Sequence, residues 1–510
     1  MNWKSKPRIS KVALVAAIAA LALVVPFNVH LAAQTQHIRW QDGFMTTEIE
    51  IRGAVEFADN DADVKSLSSD GYFRIEQWSG GSSRSFAVRP SGNGLDRQYS
   101  VNGFSKPLDS EARAWLARVL PEVIRENAID APARVKRILS HQGPAGVFSE
   151  VNKIHSDHAR RVYLENLLEY GTLRDEDLRE TLRLGRKISS DGEKAGFLIA
   201  AESHYQSPAV REAYFDTADS IGSDGEHRRV LNAVLDRYGA DHDTLALALH
   251  SAKRISSDGE KANVLIHAAD FRLSSDAARV NFFRASDSVN SDGERHRVLA
   301  AALRKNGADK DILVRSLRSA SGMNSDGEKA GVLTEAAGSY VDDPIVRRAF
   351  FDTTATINSD GERHRVLSAL LRKNDSSPAT LNEVARSASR MSSDGEKAAV
   401  LAGLAGAAAR DAAVEEALVT AANTINSDGE HARVLNAALN GSTLPRDSVM
   451  LIIHSAERIS SDGEKSRVLT RVAQRYGNDP QITAALRTAA RSISSDGEYR
   501  RLMNSLSRSE

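Results

Sequence analysis

Apolar and polar residues alternate one for one in four runs between residues 37 and 105: TEIEIRGAVEFA, GYFRIEQWS, RSFAVRP and DRQYSVNG. A period of two sends successive side chains to opposite faces, which predicts a small antiparallel β domain of about five strands. Gly80-Gly81 and Ser91-Gly92-Asn93-Gly94 punctuate the runs as turns. Ser68-Ser69-Asp70-Gly71 falls between two runs and reads as one more Asp-Gly turn.

Beyond this segment the period changes. In LDSEARAWLARVLPEVIRE the apolar residues Leu116, Val119, Leu120 and Val123 share one helical stripe. Asp109 or Ser110 is the predicted N-cap, Trp115 the side chain that ties the helix to the sheet, and Pro121 a kink. Shorter helices follow around ARVKRILSH and PAGVFSEVNKI, parted by Gly143-Pro144. Residues 107–155 therefore read as connecting helices.

From residue 156 to 510 the pattern recurs. Aligning on one Asp gives Asp157, Asp191, Asp224, Asp258, Asp292, Asp326, Asp360, Asp394, Asp428, Asp462 and Asp496, spaced 34 residues apart with a single step of 33. So constant a period means one structural unit stacked on copies of itself. Each unit carries two apolar runs of helical spacing, with a break such as Ser207-Pro208, Asp343-Pro344, Ser377-Pro378 or Asp479-Pro480 between them. Proline suits the first position of a helix, whose N–H has no helical partner. The prediction is an α-α superhelix, a solenoid of ten to eleven helix pairs similar in architecture to HEAT and tetratricopeptide arrays. The tetratricopeptide signature of Trp, Gly, Tyr and Pro at fixed offsets is missing.

Ten of these units open on Ser-Asp-Gly-Glu, as at Ser190–Glu193, Ser257–Glu260 and Ser325–Glu328. Ser-x-x-Glu is a capping box. The hydroxyls of Ser190, Ser257 and Ser325 accept an N–H three residues on, and the carboxylates of Glu193, Glu260 and Glu328 reach back to the Ser N–H. The intervening Asp adds negative charge where the helix dipole is positive. Gly is a poor helix former at its position, and its recurrence suggests close backbone approach there. A second order is superimposed. The residue after the tetrad is Lys194, Lys261, Lys329, Lys397 and Lys465 in alternate units, and His227, Arg295, Arg363, His431 and Tyr499 in the others. The second class also carries Arg229, Arg297, Arg365, Arg433 and Arg501, so the building block is about 68 residues. This arginine row reads as ion pairing between units or as a stripe that reads anionic partners.

Composition narrows the chemistry. The chain has 510 residues, 67 Lys plus Arg, 68 Asp plus Glu and no Cys. Near-neutral charge argues against non-specific nucleic-acid binding. Lack of Cys removes disulfides, zinc–thiolate sites and Cys nucleophiles. Each unit offers two carboxylates, too few for a calcium loop. His155 and His158 flank Asp157 without a third ligand candidate. No catalytic motif stands out, so neither cofactor nor metal is predicted. Asn440-Gly441-Ser442 matches a glycosylation acceptor. Lys4, Lys6, Arg8 and Lys11 precede the apolar run Val12–Val25, which makes residues 1–33 a signal peptide or membrane anchor. The body is then exported, periplasmic or anchored to the inner membrane.

GYFRIEQWSGG, LDSEARAWLARVLPEVIRE and SDGEKAGFL together resemble the exported C-terminal regions of BlaR-type, beta-lactam-sensor-like membrane metallopeptidases. The resemblance covers most of residues 50–510 and implies an envelope role in sensing. The peptidase portion has no counterpart, so no catalytic residue is implied. The leading expectation is a non-catalytic scaffold binding a protein or peptide, with an envelope sensor as the alternative and an enzyme of unfamiliar site as the third reading.

Overall fold

The computed structural model describes residues 35–507 except 43, 93, 206, 308, 374–375, 409–410 and 441–442. The predicted export segment and most of the Asn440-Gly441-Ser442 motif lie outside the described residues. The chain divides into two compact units, Met1–Asp130 and Ala131–Glu510.

The first unit is a helix on a sheet. β1 (Gln36–Asp42), β2 (Met45–Arg52), β5 (Tyr72–Ser79), β6 (Ser82–Ser91), β7 (Gly94–Val101) and β8 (Phe104–Lys106) form one antiparallel meander in that order. The hairpin β3 (Val55–Phe57) and β4 (Val64–Leu67) is inserted between β2 and β5. Eight strands are thus present among the described residues, where the alternation predicts about five. Three of them have only three or four residues, too short to display a period. Gly80 and Gly81 sit at φ 57° and 81°, the left-handed pair that a tight hairpin requires. Ser68–Gly71 closes as a turn, with Gly71 N–H donating to Ser68 C=O at 2.8 Å.

The alternation of β2, β5, β6 and β7 puts Ile49, Ile51, Phe73, Ile75, Phe86, Val88 and Tyr99 on one buried face. Helix α1 (Ser110–Glu126) covers that face with Trp115, Leu116, Leu120 and Val123. Asp109 caps α1, accepting from Ala112 N–H at 3.0 Å. The helix runs unbroken through Pro121. Trp115 Nε1 donates to Gln77 Oε1 at 3.2 Å, which satisfies the indole N–H inside the core. The first of the predicted connecting helices is therefore an integral layer of this unit.

The second unit is an α-solenoid. It opens with α2 (Ala131–Val151), interrupted by Gly143 at φ 63° just before Pro144, so that it acts as the two predicted helices. The pairs that follow are α3 (Asp157–Tyr170) and α4 (Asp175–Gly185), α5 (Asp191–Ala201) and α6 (Pro208–Ala218), α7 (Asp224–Tyr238) and α8 (His242–Ala252), α9 (Asp258–Ala269) and α10 (Asp276–Asp287), α11 (Asp292–Asn306) and α12 (Lys310–Ser321). Then come α13 (Asp326–Gly338) and α14 (Pro344–Ala355), α15 (Asp360–Leu371) and α16 (Pro378–Ser389), α17 (Asp394–Ala408) and α18 (Ala412–Ala422), α19 (Asp428–Ala438) and α20 (Arg446–Glu457), α21 (Asp462–Tyr476) and α22 (Pro480–Ala490), and lastly α23 (Asp496–Leu506). Every first helix starts on the tetrad Asp. Pro208, Pro344, Pro378 and Pro480 stand at the starts of second helices, behind caps from Ser207, Asp343, Ser377 and Asp479.

First helices stack on first helices and second on second, in two layers with the Val-Leu pairs of the first helices buried between them. One isolated pair of 11–15-residue helices would leave such a stripe in water, so the units need one another. The second-helix layer shows the 68-residue block directly. α4–α6, α8–α10, α12–α14 and α16–α18 pack closely, whereas α6–α8, α10–α12, α14–α16 and α18–α20 stand more openly, and only the last pair, α20–α22, leaves this alternation by standing openly too. Each of the first three close pairs contains a helix with two adjacent aromatic rings: Tyr214 and Phe215, Phe282 and Phe283, or Phe350 and Phe351.

Candidate interaction surfaces

The tetrad works mainly between units. From Asp157 to Asp462, the Asp that starts each first helix accepts hydrogen bonds from backbone N–H groups at the start of the next unit. Asp157 Oδ2 takes Ser190 N–H at 2.7 Å, and Asp191 takes Ser223 N–H at 2.7 Å and Gly222 N–H at 3.1 Å. The same pattern runs through Asp224, Asp258, Asp292, Asp326, Asp360, Asp394 and Asp428 to Asp462, which holds Ser495 N–H at 2.7 Å. Such charge-assisted bonds to an ionised acceptor are the stronger kind.

The serine caps are present but longer. Ser190, Ser257 and Ser325 Oγ accept from Glu193, Glu260 and Glu328 N–H at 3.4, 3.4 and 3.3 Å. These lie beyond the usual 2.7–3.2 Å of an N–H···O bond. The other half of the predicted capping box is not made. The Ser N–H is already held by the Asp of the preceding unit, so the three Glu side chains turn elsewhere. Glu193 pairs with Arg161 at 2.5 Å, Glu260 with Arg228, and Glu328 with His296 at 2.6 Å, each partner belonging to the preceding unit. The Glu therefore caps through its backbone N–H, while its carboxylate joins neighbours.

Close backbone approach at the tetrad Gly is likewise absent. A Cβ on Gly192, Gly225 or Gly259 would meet nothing within 4 Å, and one on Gly327 only Ser325 Oγ at 3.9 Å. This Gly stands on the open side of the helix start.

Arg229, Arg297, Arg365, Arg433 and Arg501 each bind the Glu three residues earlier, at 2.7, 2.5, 2.9, 2.6 and 2.8 Å. Arg229, Arg365 and Arg433 also donate to the C=O of Gly192, Gly327 and Gly395 in the preceding unit. Their side chains remain about half exposed, 47–61%. Three of the five thus clamp one unit to the one before, and the whole row still offers guanidinium edges to solvent.

The alternating residue after the tetrad has a role that helical periodicity did not reveal. Lys194, Lys261, Lys329, Lys397 and Lys465 are 4–6% exposed. Each Nζ donates to the carbonyl that ends its own unit's second helix: Ser220, Ser288, Thr356, Thr424 and Ser492, at 2.8–3.1 Å. Burial lowers the pKa of Lys194 and Lys261, against the pull of nearby tetrad aspartates. In the other class His227 and His431 bond Ser251 and Ser455 Oγ at 2.8 and 2.9 Å. Burial lowers both imidazole pKa values. The signal in the sequence was the strict alternation itself, since a lysine that recurs every 68 residues at one site is tied to that site's geometry.

Grooves open on the surface of the described residues. One of about 900 Å³ lies along α12 and α14, lined by Arg318, Ile345, Arg348 and Asp352, and one of about 400 Å³ along α16 and α18. One of about 580 Å³ lies between α19, α21 and α23 and is rich in arginine, Arg501 of the predicted row among them. Another, about 420 Å³, is on the first unit beside Glu50, Asp70, Tyr72 and Arg89. His158 lies 3.5 Å from Glu193, and among the described residues no three His, Asp or Glu side chains are grouped to hold a metal. No described helix is long and apolar enough to cross a membrane. No protein-family model and no curated protein matches this chain.

Proposed function

We propose that this protein is a non-catalytic envelope scaffold that binds a protein or peptide partner on its helical repeats. The observation that carries this reading is the cross-unit aspartate ladder. It holds successive units in one register, so the outward side chains that differ between units are displayed at set spacing. Placement in the envelope rests on the basic-then-apolar character of residues 1–33.

The test removes one 68-residue block, residues 292–359, which joins Ser291 to Asp360 and preserves both the tetrad and the alternation. Partners crosslinked to the full chain in envelope extract should be lost from the shortened chain while it stays folded. Retention of every partner both here and in a chain lacking residues 428–495, which joins Ser427 to Asp496, would reject the scaffold reading.

A second reading, an envelope sensor, draws on the groove of the first unit. There Arg89 lies over the Tyr72 ring at 4.8 Å and Arg52 Nε donates to Asp70 C=O at 3.1 Å, giving a polar recess with both charge signs. It also agrees with the resemblance to sensor-like exported regions. Saturable binding of a soluble cell-wall fragment, abolished by Arg89→Ala, would favour it.

A further inference from the structure

Ten copies of one unit provide an internal reference. A residue that departs from its own repeat, at a position open to solvent, serves something other than the repeat. Nine residues after the tetrad Asp, the other class carries Ala233, Ala301, Ala369 and Ala437, while the class of Asp462 varies here through Ala200, His267, Glu335 and Gly403. The unit starting at Asp462 carries Arg471. Five residues after the Asp, its class carries Gly196, Asn263, Gly331 and Ala399, yet here stands Arg467. Both arginines, one a departure from its class and one at a position its class leaves variable, line the groove between α19, α21 and α23 together with Arg475 and Arg501.

The environment of these groups matters. Glu464 pairs with Arg467 at 2.7 Å and Glu498 with Arg501 at 2.8 Å. Arg475 donates to Leu439 C=O. Arg471 donates to the neutral Asn440 Oδ1, and no carboxylate among the described residues pairs with it. Two further lining atoms, Thr470 Oγ1 and Asn436 Oδ1, are shut off from solvent without a hydrogen-bond partner.

We propose that this groove binds an extended acidic peptide segment through carboxylates on alternate residues. Arg467, Arg471 and Arg475 are one helical turn apart, about 6 Å of rise per step. Alternate side chains of an extended chain are about 6.6–6.8 Å apart. A guanidinium fork matches a carboxylate in a bidentate pair. The proposal names the ligand chemistry within the scaffold reading and rests on it.

The probe is a labelled Glu-Thr-Glu-Thr-Glu peptide titrated into the full chain by fluorescence anisotropy. Saturable binding is expected, weakening with salt, and about tenfold weaker for Arg471→Ala, given the strength of charged hydrogen bonds. That variant installs the residue of five other units, so its melting temperature should match the parent. Arg365→Ala, in the row of Arg501 but outside the groove, should bind as the parent does. Equal binding of the Gln-Thr-Gln-Thr-Gln peptide, or an undiminished affinity in Arg471→Ala, would overturn the proposal. So would tighter binding of pyrophosphate than of the peptide, which would assign the groove to phosphates. Failure here with partner loss intact in the chain lacking residues 292–359 rejects the ligand chemistry alone.

Discussion

Neighbouring residues of one tetrad respond to substitution in opposite directions. Asp326 accepts from Asn358 and Ser359 N–H at 2.9 and 2.8 Å. Asp326→Ala removes the one oxygen, Oδ2, that accepts both bonds and should cost about 1.5–3 kcal/mol, the range for bonds to a charged group. Asp326→Asn keeps one neutral acceptor and should recover part of the loss. One residue on, Gly327→Ala adds a methyl that meets only Ser325 Oγ at 3.9 Å. It should raise stability by up to about 1 kcal/mol, because alanine is the better helix former. Denaturant unfolding of the three variants checks both signs. The buried histidines add a pH dependence. His227 and His431 have pKa values lowered by burial from the ordinary 6.5. The unfolded chain therefore takes up these protons first as the pH falls. Stability should hold above pH 6.5, decline as the pH drops below it, and level off once the folded-state values are passed. His227→Gln and His431→Gln together should flatten that decline in thermal melts between pH 7 and 5.

At the scale of the helix, the start of a helix pair and its far end are secured by different residues. The start of α13 is held from behind by Asp292, through Asn324 and Ser325 N–H at 2.8 and 2.6 Å. Its own Lys329 reaches forward to Thr356 C=O, just past the end of α14, at 3.0 Å. One lysine thereby closes the helix pair, taking up a carbonyl that the end of a helix leaves unpaired. Lys329→Met retains the buried stem and loses the ammonium, so the cost should be about 1–2 kcal/mol. The same change at Arg348, an 85% exposed side chain on α14, should be near neutral. Urea midpoints of the two variants separate these outcomes.

At the scale of the whole second unit, the structure repeats every 68 residues although its helix pairs repeat every 34. Deleting residues 292–359 removes a whole block and leaves an Arg-class unit after a Lys-class one. Deleting residues 326–359 sets two Arg-class units side by side, α12 against α16, and removes Phe350 from the close α12–α14 contact. The first deletion should keep a single cooperative melt close to the parent. The second should lose on the order of 3–5 kcal/mol, the cost of emptying a buried aromatic site. Calorimetry of the two truncated chains decides between a 34-residue and a 68-residue structural unit.

How much of this was legible depends on the range of the interaction. Helix starts at Ser-Asp-Gly-Glu, proline behind a cap at Pro344 or Pro480, and the alternating strands around Ile49 and Phe73 all follow from contacts within a few residues, and the period of the sequence declared that units stack. What each tetrad carboxylate bonds could not be read locally. Both the intra-helix capping box and the inter-unit bond satisfy the same Ser N–H, and only the stacked geometry brings Asp157 within 2.7 Å of Ser190 N–H and so frees Glu193 for Arg161. Arg471 was equally invisible as a site residue, since its meaning comes from α19 and α23 enclosing it. The chain itself determined which residues start helices and how often. The tertiary structure alone decided which partner each charge takes, because those partners lie a full repeat away and their distance is set by packing.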